Sequence, residues 1–250
     1  MSLSDHARDY RARIYNRYVT AGVGVSAPDS LASLTGYLHY FRRLVRKHFP
    51  DDRNARILDL GCGYGIFIHA LQEAGYGDVR GVDGSLEQVQ AAIRLGISGV
   101  EHGELREALA SEPSNTVDVV ICFDVIEHFT KGELLGLVDS VHRILKPGGR
   151  WLLHVPNAES PFWGRIRYGD YTHEQAFTRE SLRQLLLCSG FSRVSCFEDR
   201  PVVHGLKSAV RALLWGCIRA LLLLYTAVET GAVDNKHLFS QNLLAVAFRE

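Results

Sequence analysis

The stretch "ILDLGCGYG", residues 57–65, narrows the folds open to this chain more than any other. An apolar run of strand length enters three glycines separated by single residues, Gly61, Gly63 and Gly65, and a helical pattern starts at Ile66. Glycines at Gly61 and Gly63 admit backbone conformations and close approaches that a side chain would block. The helix start behind them offers free N–H groups. This is not the dinucleotide fingerprint, which needs Gly or Ala where Ile66 stands, and no GK[ST] follows to make a phosphate loop. Asp59 lies two residues before the first glycine. A carboxylate there opposes a pyrophosphate and suits a ligand carrying an amine and a sulfonium.

From residue 55 onward, strand-like and helix-like segments alternate, which argues for βαβ units around a parallel sheet. Strands are read at 55–61, 78–83, 98–103, 117–124, 150–157, 192–199 and 242–249. Helices are read at 66–74, from Ser85 with a capping-box spacing to Gln88, at 132–145 up to "KPGG" (146–149), and at 179–189 between Thr178 as cap and Gly190 as stop. Two helices, 5–20 and 30–49, precede the first strand, and an apolar helical segment, 205–228, separates the sixth strand from the seventh. The expected organisation is one domain over 1–250: a helical cap (1–54), a ligand-binding core (55–199), a helical insertion (200–240) and a last strand (241–250).

Asp83 ends the second strand. An acid at that point of an α/β fold can accept both hydroxyls of a ribose. Taken with the glycine loop and the strand order, the stretches "ILDLGCGYG", "GVDGS", "VDVVICFDVIEHF" and "LKPGGRWLLHVPN" make the chain resemble the class I S-adenosylmethionine-dependent methyltransferases, over about 55–199 plus the last strand. The resemblance implies an α/β, Rossmann-like, seven-stranded and mostly parallel sheet whose last strand is antiparallel. It implies S-adenosylmethionine as cofactor, with Gly61, Gly63 and Gly65 against its amino-acid part and Asp83 on the ribose. By the same resemblance Glu104, in "HGEL", meets the adenine amino group, and Phe123 and Asp124 line the pocket.

Methyl transfer from a sulfonium is an in-line displacement, and an alcohol nucleophile needs a base to take its proton. Three histidines stand near the carboxyl ends of strands, where open α/β sheets bind ligands. His128, just past the fourth strand, and His173, in the long connection "RYGDYTHEQAFT" (167–178), are the candidate catalytic residues. A histidine at either place can instead only pack or tie down its loop. His154, inside the fifth strand, reads as a satisfied core residue. Asp124, Glu127 and His128 have an i, i+3, i+4 spacing similar to a run with which certain small-RNA 2′-O-methyltransferases hold a metal. The run also occurs without one, and the reading assigns no metal.

Lys+Arg and Asp+Glu balance at 28 each, so no field over the chain of 250 residues favours nucleic acid. Arg8, Arg11, Arg13, Arg17, Arg42, Arg43, Arg46 and Lys47 read as solvated helix faces rather than a phosphate patch. The five cysteines are scattered, fitting reduced and mostly buried thiols, and the start "MSLSDHARDY" has no apolar signal core, so a cytoplasmic location is expected. Lys207, Arg211 and Arg219 interrupt the segment 205–228, which argues against a spanning helix and for a core helix, a homodimer face or a peripheral membrane contact.

The connection after the fifth strand carries Phe162, Trp163, Tyr168, Asp170, Tyr171 and Thr172. Aromatic faces with polar edges suit a sugar ring or a phenol. The pattern 169–191 looks like methyltransferases of small molecules and surface glycans, including those of bacterial polysaccharide genes, and like the ubiquinone-biosynthesis group. The expected activity is O-methylation of a sugar, glycan or other small hydroxylated acceptor. N-methylation of an amino sugar or small amine, and a non-catalytic module of the same fold in a biosynthetic complex, are the alternatives.

Overall fold

The computed structural model describes residues 10, 11, 13–22, 26–234 and 236–250. Its centre is a sheet of seven strands: β1 (Arg56–Leu60), β2 (Asp78–Asp83), β3 (Val100–His102), β4 (Val117–Phe123), β5 (Leu145–Pro156), β6 (Arg193–Glu198) and β7 (Asn242–Phe248). Their order is β3-β2-β1-β4-β5-β7-β6. β7 runs antiparallel to β5 and β6, and the other pairs are parallel. This is the Rossmann-like methyltransferase sheet that the resemblance implied. Val119, Val120, Ile121 and Cys122 of β4 are all fully buried, as a central strand covered on both faces requires.

Side chains alternate across the strands, so two cores form. Leu58, Leu60, Val120 and Leu153 face α5 (Lys131–Ile144) and α7 (Arg179–Cys188). Ile57, Val119, Ile121 and Leu152 face α1 (Thr35–His48) and α2 (Ile66–Glu73). α3 (Leu86–Leu95), α4 (Leu105–Ser111) and the short α6 (Trp163–Arg167) complete the body. α5 starts in a capping box between Thr130 and Glu133, and α7 in one between Thr178 and Ser181.

Several boundaries differ from the sequence reading. Ser85 caps α3, but without a side-chain bond: its N–H goes to Asp83 instead. α4 was not foreseen. "KPGG" is not a helix stop but the irregular beginning of β5, where the register to β4 shifts between Val117 and Val119. The first expected helix is helical at 10–11 and 13–15 and then turns through 16–22; its residues 5–9, with Arg8, lie outside the described residues. Arg11 pairs with Glu133, and Arg42 with Glu73 at 2.9 Å. Of the five free cysteines only Cys62 and Cys122 are buried; Cys188 and Cys217 are exposed.

The insertion forms α8 (Leu206–Thr230), 25 residues or about 37 Å at 1.5 Å per residue. By length and composition alone it could cross a membrane, and none of its apolar window is buried. The expectation of a core helix fails here. Leu206, Val210, Leu213, Leu214, Ile218, Leu221, Leu224, Tyr225 and Val228 stand exposed along one side. Arg219 reaches from the other side to Glu198 at 3.0 Å.

Candidate active site

Strand order reverses between β1 and β4, which opens a crevice at their carboxyl ends. The glycine loop enters it from β1. The three glycines do different work. A Cβ on Gly61 would fall 2.5 Å from Val125 Cγ2, and one on Gly65 would fall 2.8 Å from Val100 Cγ2. Both positions are closed by packing. At Gly63, with φ +54°, the nearest atom to such a Cβ is Gln88 Oε1 at 4.0 Å, so this glycine leaves open space. Asp83 fixes the loop: its Oδ2 accepts the Gly63 N–H at 2.7 Å and its Oδ1 the Ser85 N–H at 2.8 Å. Two bonds leave the carboxylate further lone pairs for a ligand. Burial raises its pKa, and the two N–H donors work against that.

Asp59 lies beneath the loop, 1% exposed, and its Oδ1 has no hydrogen-bond partner. Burial, and then the Asp83 charge, push it up to about 8. A cationic group bound nearby would restore the carboxylate. Glu104 is the N-cap of α4, exposed and without a cap bond.

After β4 the chain turns at Asp124, held in the left-handed region at φ 57°. Its Oδ1 meets His154 Nδ1 at 2.7 Å, while His154 Nε2 faces Asp199 Oδ2 at 3.4 Å. Phe123 stacks on the same imidazole, with centroids 4.0 Å apart. Burial lowers the His154 pKa, but Asp124 and Asp199 outweigh it and hold the group up to about 10. His154 is thus a satisfied core residue, as read, and its two carboxylate partners favour its protonated form. Asp124 is committed to it, so the spacing Asp124, Glu127, His128 does not become a cluster.

His173, rather than Asp124, stands beside Glu127 and His128. The rings of His128 and His173 lie edge to face at 4.7 Å, and His173 Nε2 is 4.0 Å from Glu127 Oε1. Glu127 is fully buried, with neither carboxylate oxygen bonded. Burial, and then Asp124, hold it well above the usual carboxylate range. His128 is pushed down to about 4 by burial and then by His173. The connection is moored here through its main chain: Glu127 O accepts the N–H groups of Glu174 and Gln175 at 2.7 and 3.1 Å.

The N-terminal segment closes over this cluster, which the sequence reading missed. Tyr18 OH donates to Asp170 Oδ2 at 3.1 Å, Tyr10 OH to Glu174, and the Tyr15 ring meets His128 at 6.3 Å. A tyrosine at 10, 15 and 18 was the only sequence signal available. Of the connection's own residues, Thr172 is fully buried, while Phe162, Tyr168 and Tyr171 are at least 70% exposed. Those rings line no enclosed site in this conformation.

A family model described as a methyltransferase domain matches residues 35–195, more than half of the chain. The chain belongs to that methyltransferase family. Among curated relatives, the ubiquinone biosynthesis O-methyltransferase of Leptothrix cholodnii is 36% identical over 107 residues, 41% of this chain and 44% of the relative. That of Psychrobacter arcticus is 33% identical over 155 residues, 55% and 59%. The matches span about half the length of these relatives. A SAM-dependent methyltransferase structure from Archaeoglobus fulgidus superimposes with TM-score 0.63 at 22% identity, over 85% of this chain and 94% of that one, and so shares the fold.

S-adenosylmethionine is the methyl donor that the family membership implies. The residues present fit it: the open space at Gly63, the unpartnered buried Asp59 Oδ1 and the spare lone pairs of Asp83 lie around one loop.

Proposed function

We propose that the methyltransferase modifies an oxygen of a small hydroxylated acceptor, a phenol or a sugar or glycan hydroxyl, in a cytoplasmic setting. The observation that carries this is the pair His128 and His173 beside Glu127, placed directly after β4 and under the N-terminal tyrosines. Both relatives reported above are named O-methyltransferases, which supports oxygen as the acceptor atom. The chemistry that the cofactor supplies when bound is a methyl group on a sulfonium leaving group. Asp59, Gly63 and Asp83 hold that group at the crevice, Gly61 and Gly65 let the loop pack closely enough to shape it, and Phe123, Asp124 and Glu104 stand at its margins. The His128–His173 cluster receives the acceptor hydroxyl and takes up its proton at a ring nitrogen, and Tyr15 and Tyr18 shield the site from water.

A labelled-methyl assay across phenols, sugars, nucleotide sugars and amines tests the reading. Label is expected on oxygen, with turnover down about 100-fold or more in His173→Ala and cofactor affinity unchanged. Transfer to amines alone would overturn it.

The same reading gives the outward stripe of α8 a peripheral membrane role, with Lys207 and Arg211 exposed at its N-terminal end for anionic headgroups. Flotation with anionic vesicles should carry the protein, and substituting charged residues at Leu214 and Leu221 should release it. Vesicle-independent dimerisation in light scattering would assign the stripe to a second copy instead. A monomer that ignores vesicles discards both.

A further inference from the structure

We propose that Glu127, His128 and His173 form a site for one divalent first-row transition cation, bound by two imidazole nitrogens and one carboxylate with coordination positions left open. One donor atom from each of the three residues lies within 4.8 Å of the others. Ligand bonds of roughly 2.1 Å place donors about 3–3.5 Å apart, so entry of a cation draws these side chains inward by small rotations.

The hydrogen bonds around the cluster fix which nitrogen each ring offers. Thr172 donates its hydroxyl proton to Asp170 Oδ1 at 2.6 Å, so its oxygen can only accept from His128 Nδ1 at 2.8 Å. His128 Nδ1 therefore carries the hydrogen and Nε2 the lone pair. His173 Nδ1 lies 3.0 Å from the carbonyl oxygen of Ile166, which is an acceptor. His173 Nδ1 thus also carries the hydrogen, leaving the Nε2 lone pair on the side of Glu127, 4.0 Å from Oε1. Ligating histidines show this arrangement: the far N–H goes to a carbonyl or, here through a hydroxyl, to a carboxylate that orients the ring.

Glu127 supplies the second, independent observation. It is a fully buried carboxyl with both oxygens unpartnered, next to two nitrogens that offer only lone pairs. Both Glu127 oxygens lack a partner, the two Nε2 lone pairs stand beside them, and a cation shared by the three would satisfy the buried carboxylate. Two imidazoles and a carboxylate suit zinc, iron(II) or manganese(II) more than magnesium or calcium, which prefer all-oxygen sites. The role of the cation, though not its binding, rests on the reading of the protein as an oxygen methyltransferase. An open position beside the glycine-loop crevice would hold the acceptor hydroxyl and ease loss of its proton to solvent. His173 then acts as a ligand rather than as the base.

Chelator-stripped protein titrated with Co²⁺ should bind one equivalent with visible ligand-field bands, and Zn²⁺ should displace it. Glu127→Gln, which keeps shape, and His173→Ala should each weaken binding on the order of 100-fold, and Asp170→Asn, which touches no metal, about 10-fold or more. S-adenosylmethionine affinity and the melting temperature of each stripped variant control for folding. No stoichiometric Co²⁺, or variants that bind like the parent, overturns the site. If that happens while His173→Ala still abolishes transfer to hydroxyls, His173 is the base and the functional reading stands without the metal. If Co²⁺ binds as expected but no hydroxylated acceptor is methylated, the site stands and the functional reading fails.

Discussion

Asp83→Ala is expected to lose S-adenosylmethionine affinity by at least about 100-fold, with the chain still folded. The carboxylate does two things at once. It accepts the N–H groups of Gly63 and Ser85, which shapes the loop and the entry to α3. Its remaining lone pairs are, on the proposed reading, the acceptors for the cofactor's ribose hydroxyls. Hydrogen bonds to a charged group contribute about 1.5–3 kcal/mol each, so the loop becomes looser as well as poorer in acceptors. Asp83→Asn should fall between parent and alanine. Its carbonyl can keep one backbone N–H, but its amide turns a donor toward the other. Calorimetric titration measures the affinities. An alanine variant within threefold of the parent would remove Asp83 from the cofactor site.

His154→Asn is expected to give the largest loss of stability, about 3 kcal/mol or more near pH 6, because it leaves two carboxylates beside an emptied buried position. In a chain of 250 residues that corresponds to roughly 6–12 °C in melting temperature. The loss depends on pH in a defined sense. The imidazole is raised from 6.5 to about 10 in the folded protein by Asp124 and Asp199, against the opposing effect of burial. Its contribution is therefore fully present below pH 6.5 and is lost as pH rises from 6.5 through 10. Melts of parent and variant at pH 6, 8 and 10 should converge toward the alkaline end. An equal difference at pH 6 and pH 10 would mean that His154 is neutral in the folded state.

The sheet was legible because its punctuation is local. Glycines mark the turns after β1, β2 and β3, at Gly61, Gly84 and Gly103, and the apolar period separates buried strands from amphipathic helices. Asp83 could be read for the same reason, since it sits at a fixed offset from the glycine loop on the neighbouring strand. The cluster was half legible. His128 and His173 each stood at a strand's carboxyl end, but their meeting depends on the connection folding back onto Glu127, 46 residues before His173 in the chain. The i, i+3, i+4 spacing pointed to Asp124 instead. It failed because the backbone turns left-handed there and carries that side chain to His154. The pairing of His154 was invisible for a related reason: a lone histidine in an apolar strand gives no sign of Asp199, 45 residues on. Tyr10, Tyr15 and Tyr18 reach partners more than 100 residues away, and no periodicity records that. In α8 the two faces were legible, but which one turned inward was not. Periodicity gives the angle between faces and leaves their absolute direction to tertiary packing.

The mooring of the connection through Glu127 O bears on how such a protein can change over time. The bonds from the Glu174 and Gln175 N–H groups to that oxygen belong to the main chain and do not depend on which side chains those positions carry. Substitutions at the outward-facing Tyr168 and Tyr171 can therefore change the surface of the connection without removing that mooring. The grip on the methyl donor, built from β1 and β2, is untouched by them. If the connection contacts the acceptor as proposed, acceptor preference can drift by point mutation while the glycine-loop half stays unchanged, a modularity to which two backbone hydrogen bonds contribute.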